Sequence, residues 1–256
     1  MTKKIRKHTL FLMLFMHAFI ANSKEINNVS PAIETKNAAQ LLTIIDSYRG
    51  LNTKGFSFDI TNVSYKSNRD SRTNQLSVDV KQGNSLVKFK SPARQQGRIL
   101  LKKQSDMWLY IPGTRKVIRI SPAQRLLGET SNADVTGSNF SRDYVAEIMF
   151  QTDKPNHIKL VLKAKKNSMS YQQVIFWLQN QVPFKPIKSE YYARSGKLLK
   201  TAEYKVFKSF DGELKIHKML LSDPLIEGSY TWMLFDNYRS SELPDGLFNK
   251  EAIVNL

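Results

Sequence analysis

"DMWLYIPGTRKVIRIS", Asp106 to Ser121, decides how the rest of the chain is read. Two runs of strand-forming residues flank Pro112-Gly113, a turn dipeptide. Successive side chains of a strand point to opposite faces. Met107, Leu109 and Ile111 therefore share one face, and Trp108 and Tyr110 the other. A strand with one wet face is apolar on one side only, whereas this hairpin is apolar on both. With a two-residue turn, Ile111 opposes Thr114. Trp108 and Tyr110 then lie with Arg115, Val117 and Arg119, and the aliphatic set lies with Ile118 and Ile120. The aliphatic face suits an acyl chain or a core. The aromatic face, with its guanidinium groups, suits an anionic headgroup. A one-residue bulge after the turn would exchange these partners.

Working outward, the same pattern recurs. "FSFDI" puts Phe56, Phe58 and Ile60 on one face, and "QLSVDV" and "SLVKFK" follow around Gly83-Asn84, then "GRILLKK". Beyond the hairpin runs an irregular stretch from Ser121 to about Tyr144, with a short helix expected over Arg142 to Phe150. Strands resume with "HIKLVLKAKK", "QQVIFWL", "PIKSEYYA", "LLKTAEYKVF", "ELKIHKMLL" and "SYTWMLFDNY", and the tail "LPDGLFNKEAIVNL" is expected to end in a short helix. Phe176 and Trp177 oppose each other across one strand, and Trp232 opposes Met233 and Phe235 across another. Short turns between successive strands imply antiparallel neighbours. The expected product is a curved antiparallel sheet of about eleven strands: a sandwich, a barrel or an incomplete barrel. Ahead of it, "TKNAAQLLTIIDSYR" has helical period, with Ala38, Leu41, Leu42, Ile45 and Tyr48 on one face. Thr35 or Asn37 can cap its start and Gly50 can end it.

The N-terminus bounds the partners. "MTKKIRKHTLFLMLFMHAFIANS" has a basic n-region, a short apolar h-region and small residues before a cleavage point after Ser23. The apolar run is shorter than the roughly 20 residues needed to span a bilayer, so residues 1–23 are expected to be a signal peptide and 24–256 a single exported domain. The formal charge of +17 falls to near +13 once the leader's four basic residues are removed. An exported chain is not expected to meet nucleic acid. Phospholipid headgroups, lipopolysaccharide and cell-wall polymers are its expected anionic neighbours. With no cysteine, a disulfide scaffold and a cysteine-borne lipid anchor are both excluded.

Signals for chemistry are sparse. His157 and His217 sit in lysine-rich strands, and no ligand spacing points to a metal. Gly-x-Ser-x-Gly and phosphate-cradling glycine loops are absent. Asp70, Asp79, Asp134 and Asp143 form no evident acid–base pair. No catalytic residue, metal or cofactor is expected, although glycosidase-type carboxylates can come from distant strands.

"MWLYIPGTRKVIRISPAQRLLGETSNADVTGSNFSRDYV" resembles the bacterial outer-membrane lipoprotein-sorting family, the LolA/LolB-like group, in its larger branch. Trp108, Tyr110 and Pro112 match its Trp-x-Tyr-x-Pro strand. Arg119-Ile120 matches the end of its return strand, and Gly137-Ser138-Asn139-Phe140-Ser141 a later motif. Asn139 stands where the family has Asp, and Tyr144 where a second acid is expected. The resemblance implies a mainly β fold: an unclosed half β-barrel with helices over its concave side and an apolar cavity between. It also implies a soluble, monomeric carrier in the periplasm of a Gram-negative bacterium. Such a carrier shields lipid or lipoprotein acyl chains and works with an inner-membrane transporter and an outer-membrane acceptor. On this reading Leu41, Leu42, Ile45, Phe58, Met107, Trp108, Leu109, Tyr110, Ile111, Ile118, Phe140, Phe176, Trp177 and Trp232 line the cavity, and Arg115 and Arg119 meet a headgroup or partner. The competing readings are a non-catalytic module for anionic envelope polymers and an envelope hydrolase.

Overall fold

The computed structural model describes residues 36–50, 55–150, 154, 156–167, 169 and 171–256. The expected leader lies outside them. A helix, α1 (Ala38–Ser47), precedes strands β1 (Phe56–Lys66), β2 (Arg69–Lys81), β3 (Asn84–Ser91), β4 (Ile99–Lys103), β5 (Asp106–Ile111) and β6 (Lys116–Arg119). A connection then carries a two-stranded ribbon, β7 (Arg125–Leu127) and β8 (Thr130–Ser131), and two short helices, α2 (Asn132–Thr136) and α3 (Phe140–Asp143). The chain continues through β9 (Tyr144–Phe150), β10 (His157–Ala164), β11 (Gln173–Gln179), β12 (Pro186–Tyr192), β13 (Leu198–Phe210), β14 (Glu213–Ser222) and β15 (Tyr230–Ser240).

Thirteen strands form one antiparallel sheet, in the order β6-β5-β4-β3-β2-β1-β15-β14-β13-β12-β11-β10-β9. Its two edges, β6 and β9, do not pair, so the sheet stays open. Leu100 and Met107 near one edge belong to the same apolar cluster as Ile158, Leu160 and Phe176 near the other. The sheet must curl around that cluster, which marks its concave face. α1 and the β6–β9 connection fill the hollow: Leu41, Leu42 and Ile45, and Leu127, Val135 and Phe140, are buried in the same cluster.

The strand count exceeds expectation partly because Tyr144–Phe150 is a strand, not a helix. Its ladder with β10, Leu160 opposite Ile148 and Leu162 opposite Ala146, seats Ala146 and Ile148 against the core. A helix there would forfeit those bonds. The preceding helix stops at Asp143. The tail ends in a short helix as expected, of the 3₁₀ type, at Ala252–Asn255, with another before it at Asp245–Phe248. Its Phe248 and Ile253 are buried with Leu86, Ile99 and Leu101 on the convex face.

The opening hairpin is thereby explained. Pro112–Thr114 is a 3₁₀ turn closed by Arg115 in the left-handed region (φ 52°). Trp108 pairs with Arg119, Leu109 with Ile118 and Tyr110 with Val117. The register is two residues away from that of a two-residue turn. A two-residue shift preserves the faces. Met107, Leu109 and Ile120 face the concave core. Trp108, Tyr110 and Val117 face the tail side, packed, like Leu243 and Leu247 of the tail, against the second cluster that holds Phe248 and Ile253. Both faces are apolar because protein covers both.

Candidate functional site

The concave side holds a plug fastened to the sheet by polar contacts. Asn37 and Gln40 form a capping box that starts α1. Near the helix's far end Asp46, 1% exposed, accepts hydrogen bonds from the backbone N–H of Phe140 and of Ser141, both at 2.9 Å. Burial raises its carboxyl above the usual range, and the Ser141 and Phe140 donors oppose that. After α1, the Tyr48 hydroxyl donates to Pro183 O (2.8 Å), and the Arg49 guanidinium donates to Asp134 O (2.6 Å) while lying over the Phe235 ring.

The connection is held as firmly. Ser131 and Asp134 cap α2 reciprocally. Lys200 of β13, itself buried, donates from Nζ to Asp134 Oδ1 (2.6 Å), Asp134 Oδ2 (2.7 Å) and the Tyr171 hydroxyl (3.0 Å). Burial pulls the Lys200 ammonium down, but the facing Asp134 carboxylate and Tyr171 more than offset this, so its pKa lies above that of an ordinary lysine. Ser85 donates to Thr136 O (2.6 Å), Thr130 to Asn62 Oδ1 (2.7 Å), and Glu129 N–H to Thr231 Oγ1 (2.9 Å). The ribbon turn lies so close to the sheet that a Cβ on Gly128 (φ +61°) would sit 2.4 Å from Ser64 Cβ.

Between the β5–β6 edge and the start of β9, a cavity of about 220 Å³ remains. Met107, Ile120, Gly137, Tyr144 and Tyr171 line it, and Lys102 reaches it with Nζ donating to Gly137 O. Burial is the main force lowering the Lys102 pKa from 10.5 to about 8, and nearby Arg142 adds to it. This has a stability consequence with a definite sign. Between pH 8 and 10.5 the unfolded chain holds at Lys102 a proton that the folded chain has released, so this group's contribution to stability rises with pH across that window. The gain is on the order of 3 kcal/mol. Buried tyrosines such as Tyr48 and Tyr144, whose pKa values are raised by burial, lower stability near pH 10. Urea unfolding at pH 7 and 9 is therefore expected to show stability changing more favourably with pH in the wild type than in Lys102→Met, by on the order of 1 kcal/mol; equal changes in both would refute the assignment.

The expected cavity residues divide between the two faces. Leu41, Leu42, Ile45, Phe58, Met107, Phe140 and Phe176 are buried in the concave cluster, with Leu109 packed against it. Phe140 meets Phe176 edge-on at 5.0 Å. Trp108 and Tyr110 point the other way, to the tail. Trp177 lies outside as well, beneath the ammonium groups of Lys188 (5.4 Å) and Lys159 (6.0 Å), and so does Trp232, beneath Lys218 (4.2 Å). Alternation decides this: their neighbours Phe176 and Met233 take the inner positions. Ile111 is half-buried at the hairpin end, and Ile118, 42% exposed, lies on the edge strand. Arg115 is exposed in the turn, whereas Arg119 pairs with Asp106 beside the cavity. Asn139 caps α3 by accepting from Arg142 N–H (2.9 Å), a role Asn and Asp fill alike. Tyr144 is buried, its hydroxyl donating to Tyr171 O (3.0 Å).

The polar set of buried Asp46, Lys102, Asp134 and Lys200 and half-buried Arg49 was not among the expected residues. One signal for it exists in the sequence: lysines at inward positions of apolar strands, Lys102 in step with Leu100 and Lys200 with Ala202. Among the described residues, no cluster of three or more His, Cys, Asp or Glu could hold a metal, and no helix is long and apolar enough to cross a membrane.

A family model described as an uncharacterized protein matches residues 81–255. No curated protein matches the chain. The fold is similar to that of a LolA superfamily protein from Nitrosomonas europaea, with a TM-score of 0.77 and 28% identity over 84% of this chain and 99% of that one. It is also similar to a domain classed with outer-membrane lipoprotein-sorting proteins from Vibrio parahaemolyticus (TM-score 0.70, 22% identity, 85% and 100% of the two chains). A DUF1329 family protein from Desulfovibrio piger shares the fold too (TM-score 0.70, 20% identity, 84% and 97%).

Proposed function

We propose that this chain, whose fold is similar to that of a LolA superfamily protein and of an outer-membrane lipoprotein-sorting domain, is a non-catalytic carrier of that kind that shields acyl chains of a lipid or lipoprotein against its concave sheet. One observation carries the reading. The apolar concave face is occupied by the chain's own plug, held by separate polar contacts, while edges β6 and β9 stay unpaired. A plug of that kind can be exchanged for a guest without breaking the sheet. The residual cavity of about 220 Å³ is below the roughly 300–1,000 Å³ of ordinary ligand pockets. Loading therefore requires α1 and the β6–β9 connection to move. Burying a sixteen-carbon chain is worth about 12 kcal/mol at about 0.8 kcal/mol per CH₂, enough to offset several hydrogen bonds at about 1 kcal/mol each.

In the fuller form of the reading, residues 1–23 direct export, and 24–256 act as a soluble monomer in the periplasm. Cargo is received from an inner-membrane transporter and released to an outer-membrane acceptor. The test is mass spectrometry of organic extracts from protein purified gently out of the periplasm. Stoichiometric phospholipid, glycolipid or acylated peptide is expected. Extracts that stay clean after incubation with membranes would sink the reading.

A further inference from the structure

The outer end of the β1–β2 hairpin carries a second feature, built from different chemistry. Two adjoining hollows of about 230 and 400 Å³ share Ser64, Arg72, Leu126 and Gly128 in their walls. Lys66 and Arg69 line one, and Arg94 and Gln95 the other. Arg125, also in the wall, is neutralised by Glu129 at 2.8 Å and by Asp223. Lys66, Arg69, Arg72 and Arg94 are exposed and have no ion-pair partner within 4.0 Å among the described residues. The lining holds one carboxylate, Asp70. Four unpaired cations against one carboxylate leave the lining net positive, and they repel one another unless a further anion sits between them.

The groove favours one kind of anion. Guanidinium forks match phosphate oxygens in bidentate pairs. The floor is polar, with buried Ser64 and Asn74, and the Gln95 side-chain oxygen is buried without a hydrogen-bond partner. Leu126, in both walls, packs against the concave core. The ribbon that carries it stands between the groove and the region taken above to receive acyl chains.

We propose that this groove is an anion site for a phosphate group, and that the phosphate belongs to the headgroup of the carried amphiphile. Only the second half rests on the carrier reading. Phosphate would lie among Arg69, Arg72 and Arg94, with the first methylenes of the chain against Leu126.

The test uses the full-length mature protein, sodium pyrophosphate followed by calorimetry, and co-sedimentation with phosphatidylcholine vesicles with and without phosphatidylglycerol. Arg69→Gln/Arg72→Gln/Arg94→Gln is compared with a control of equal charge change, Lys90→Gln/Lys116→Gln/Lys166→Gln. The arginine variant is expected to lose at least about tenfold in affinity, with an unchanged melting temperature, while the control keeps its affinity. Losses with both probes, or with the vesicles alone, support the headgroup assignment. A loss with pyrophosphate alone supports the phosphate site but overturns the headgroup, leaving a soluble phosphate ligand. Equal losses in the two variants, or none in the arginine variant, overturn the site. Lipid in the extracts of wild-type protein tests the carrier reading separately: a lipid-loaded protein without arginine-dependent anion binding defeats only the groove, and the converse defeats the carrier and with it the headgroup assignment, leaving the phosphate site standing.

Discussion

Lys200→Met is expected to lower the melting temperature by roughly 10 °C. The substitution leaves the Asp134 carboxylate buried in the plug, still accepting from Ser131 N–H (2.7 Å) and Oγ–H (2.8 Å) but facing no cation from Lys200. Removing one partner of a buried pair costs about 3–5 kcal/mol, and a domain of this size shifts by about 2–4 °C per kcal/mol. Asp134→Asn/Lys200→Met removes both charges while the Asn oxygen keeps the helix cap. It should recover more than half of the loss, because the penalty lies in the orphaned charge rather than in the missing attraction. Thermal unfolding of the two single variants and the double variant checks this. A shift below about 2 °C for Lys200→Met, or a double variant worse than either single, would contradict the account.

Asp46→Ala should act on loading more than on folding. Asp46 joins α1 to the first turn of α3 through the Phe140 and Ser141 N–H groups. Charge-assisted hydrogen bonds contribute about 1.5–3 kcal/mol each. For the charge itself burial outweighs those bonds, as the raised pKa shows, but Asp46→Ala also leaves the Phe140 and Ser141 N–H groups without their acceptor, which costs about 1–3 kcal/mol. A net loss of about 1.4 kcal/mol from the closed plug multiplies the open population about tenfold, and apparent affinity follows the population that can bind. Titration with a fluorescent fatty acid should therefore show affinity rising between about threefold and tenfold in Asp46→Ala, with a smaller rise in Asp46→Asn, which keeps one acceptor. Unchanged or weaker binding by a folded variant would mean that α1 and α3 do not gate the concave face. Together the two substitutions separate the contact that holds the fold from the contact that holds the plug.

Strand alternation and helical period were local, and they carried most of the fold. Met107, Leu109, Phe58 and Phe176 read as one face each, and Leu41, Leu42 and Ile45 as the buried stripe of α1, because side-chain direction is fixed within a few residues. The same rule separated Trp108 from Met107 and Trp177 from Phe176 without saying which side was concave. That choice belongs to the tertiary structure. The sheet curls around α1 and the β6–β9 connection, and the tail covers the opposite side of β3–β6, so Trp108 and Tyr110 meet Phe248 and Ile253 instead of a cavity. Tyr144–Phe150 became a strand only because β10 was there to pair with it.

The polar contacts of the plug were the least legible part. Asp134 and Lys200 are 66 residues apart and Asp46 and Phe140 are 94, and no local period links them. The sequence by itself determined the antiparallel strands, the apolar faces and the covering helix, because those follow from backbone geometry and the positions of apolar side chains along each element; that the sheet stays open rather than closing or folding into a sandwich was decided by the tertiary structure. Only the tertiary structure decided which face is concave, which ions are buried and where uncompensated arginines converge. Curvature, burial and charge pairing are properties of segments brought together from far along the chain.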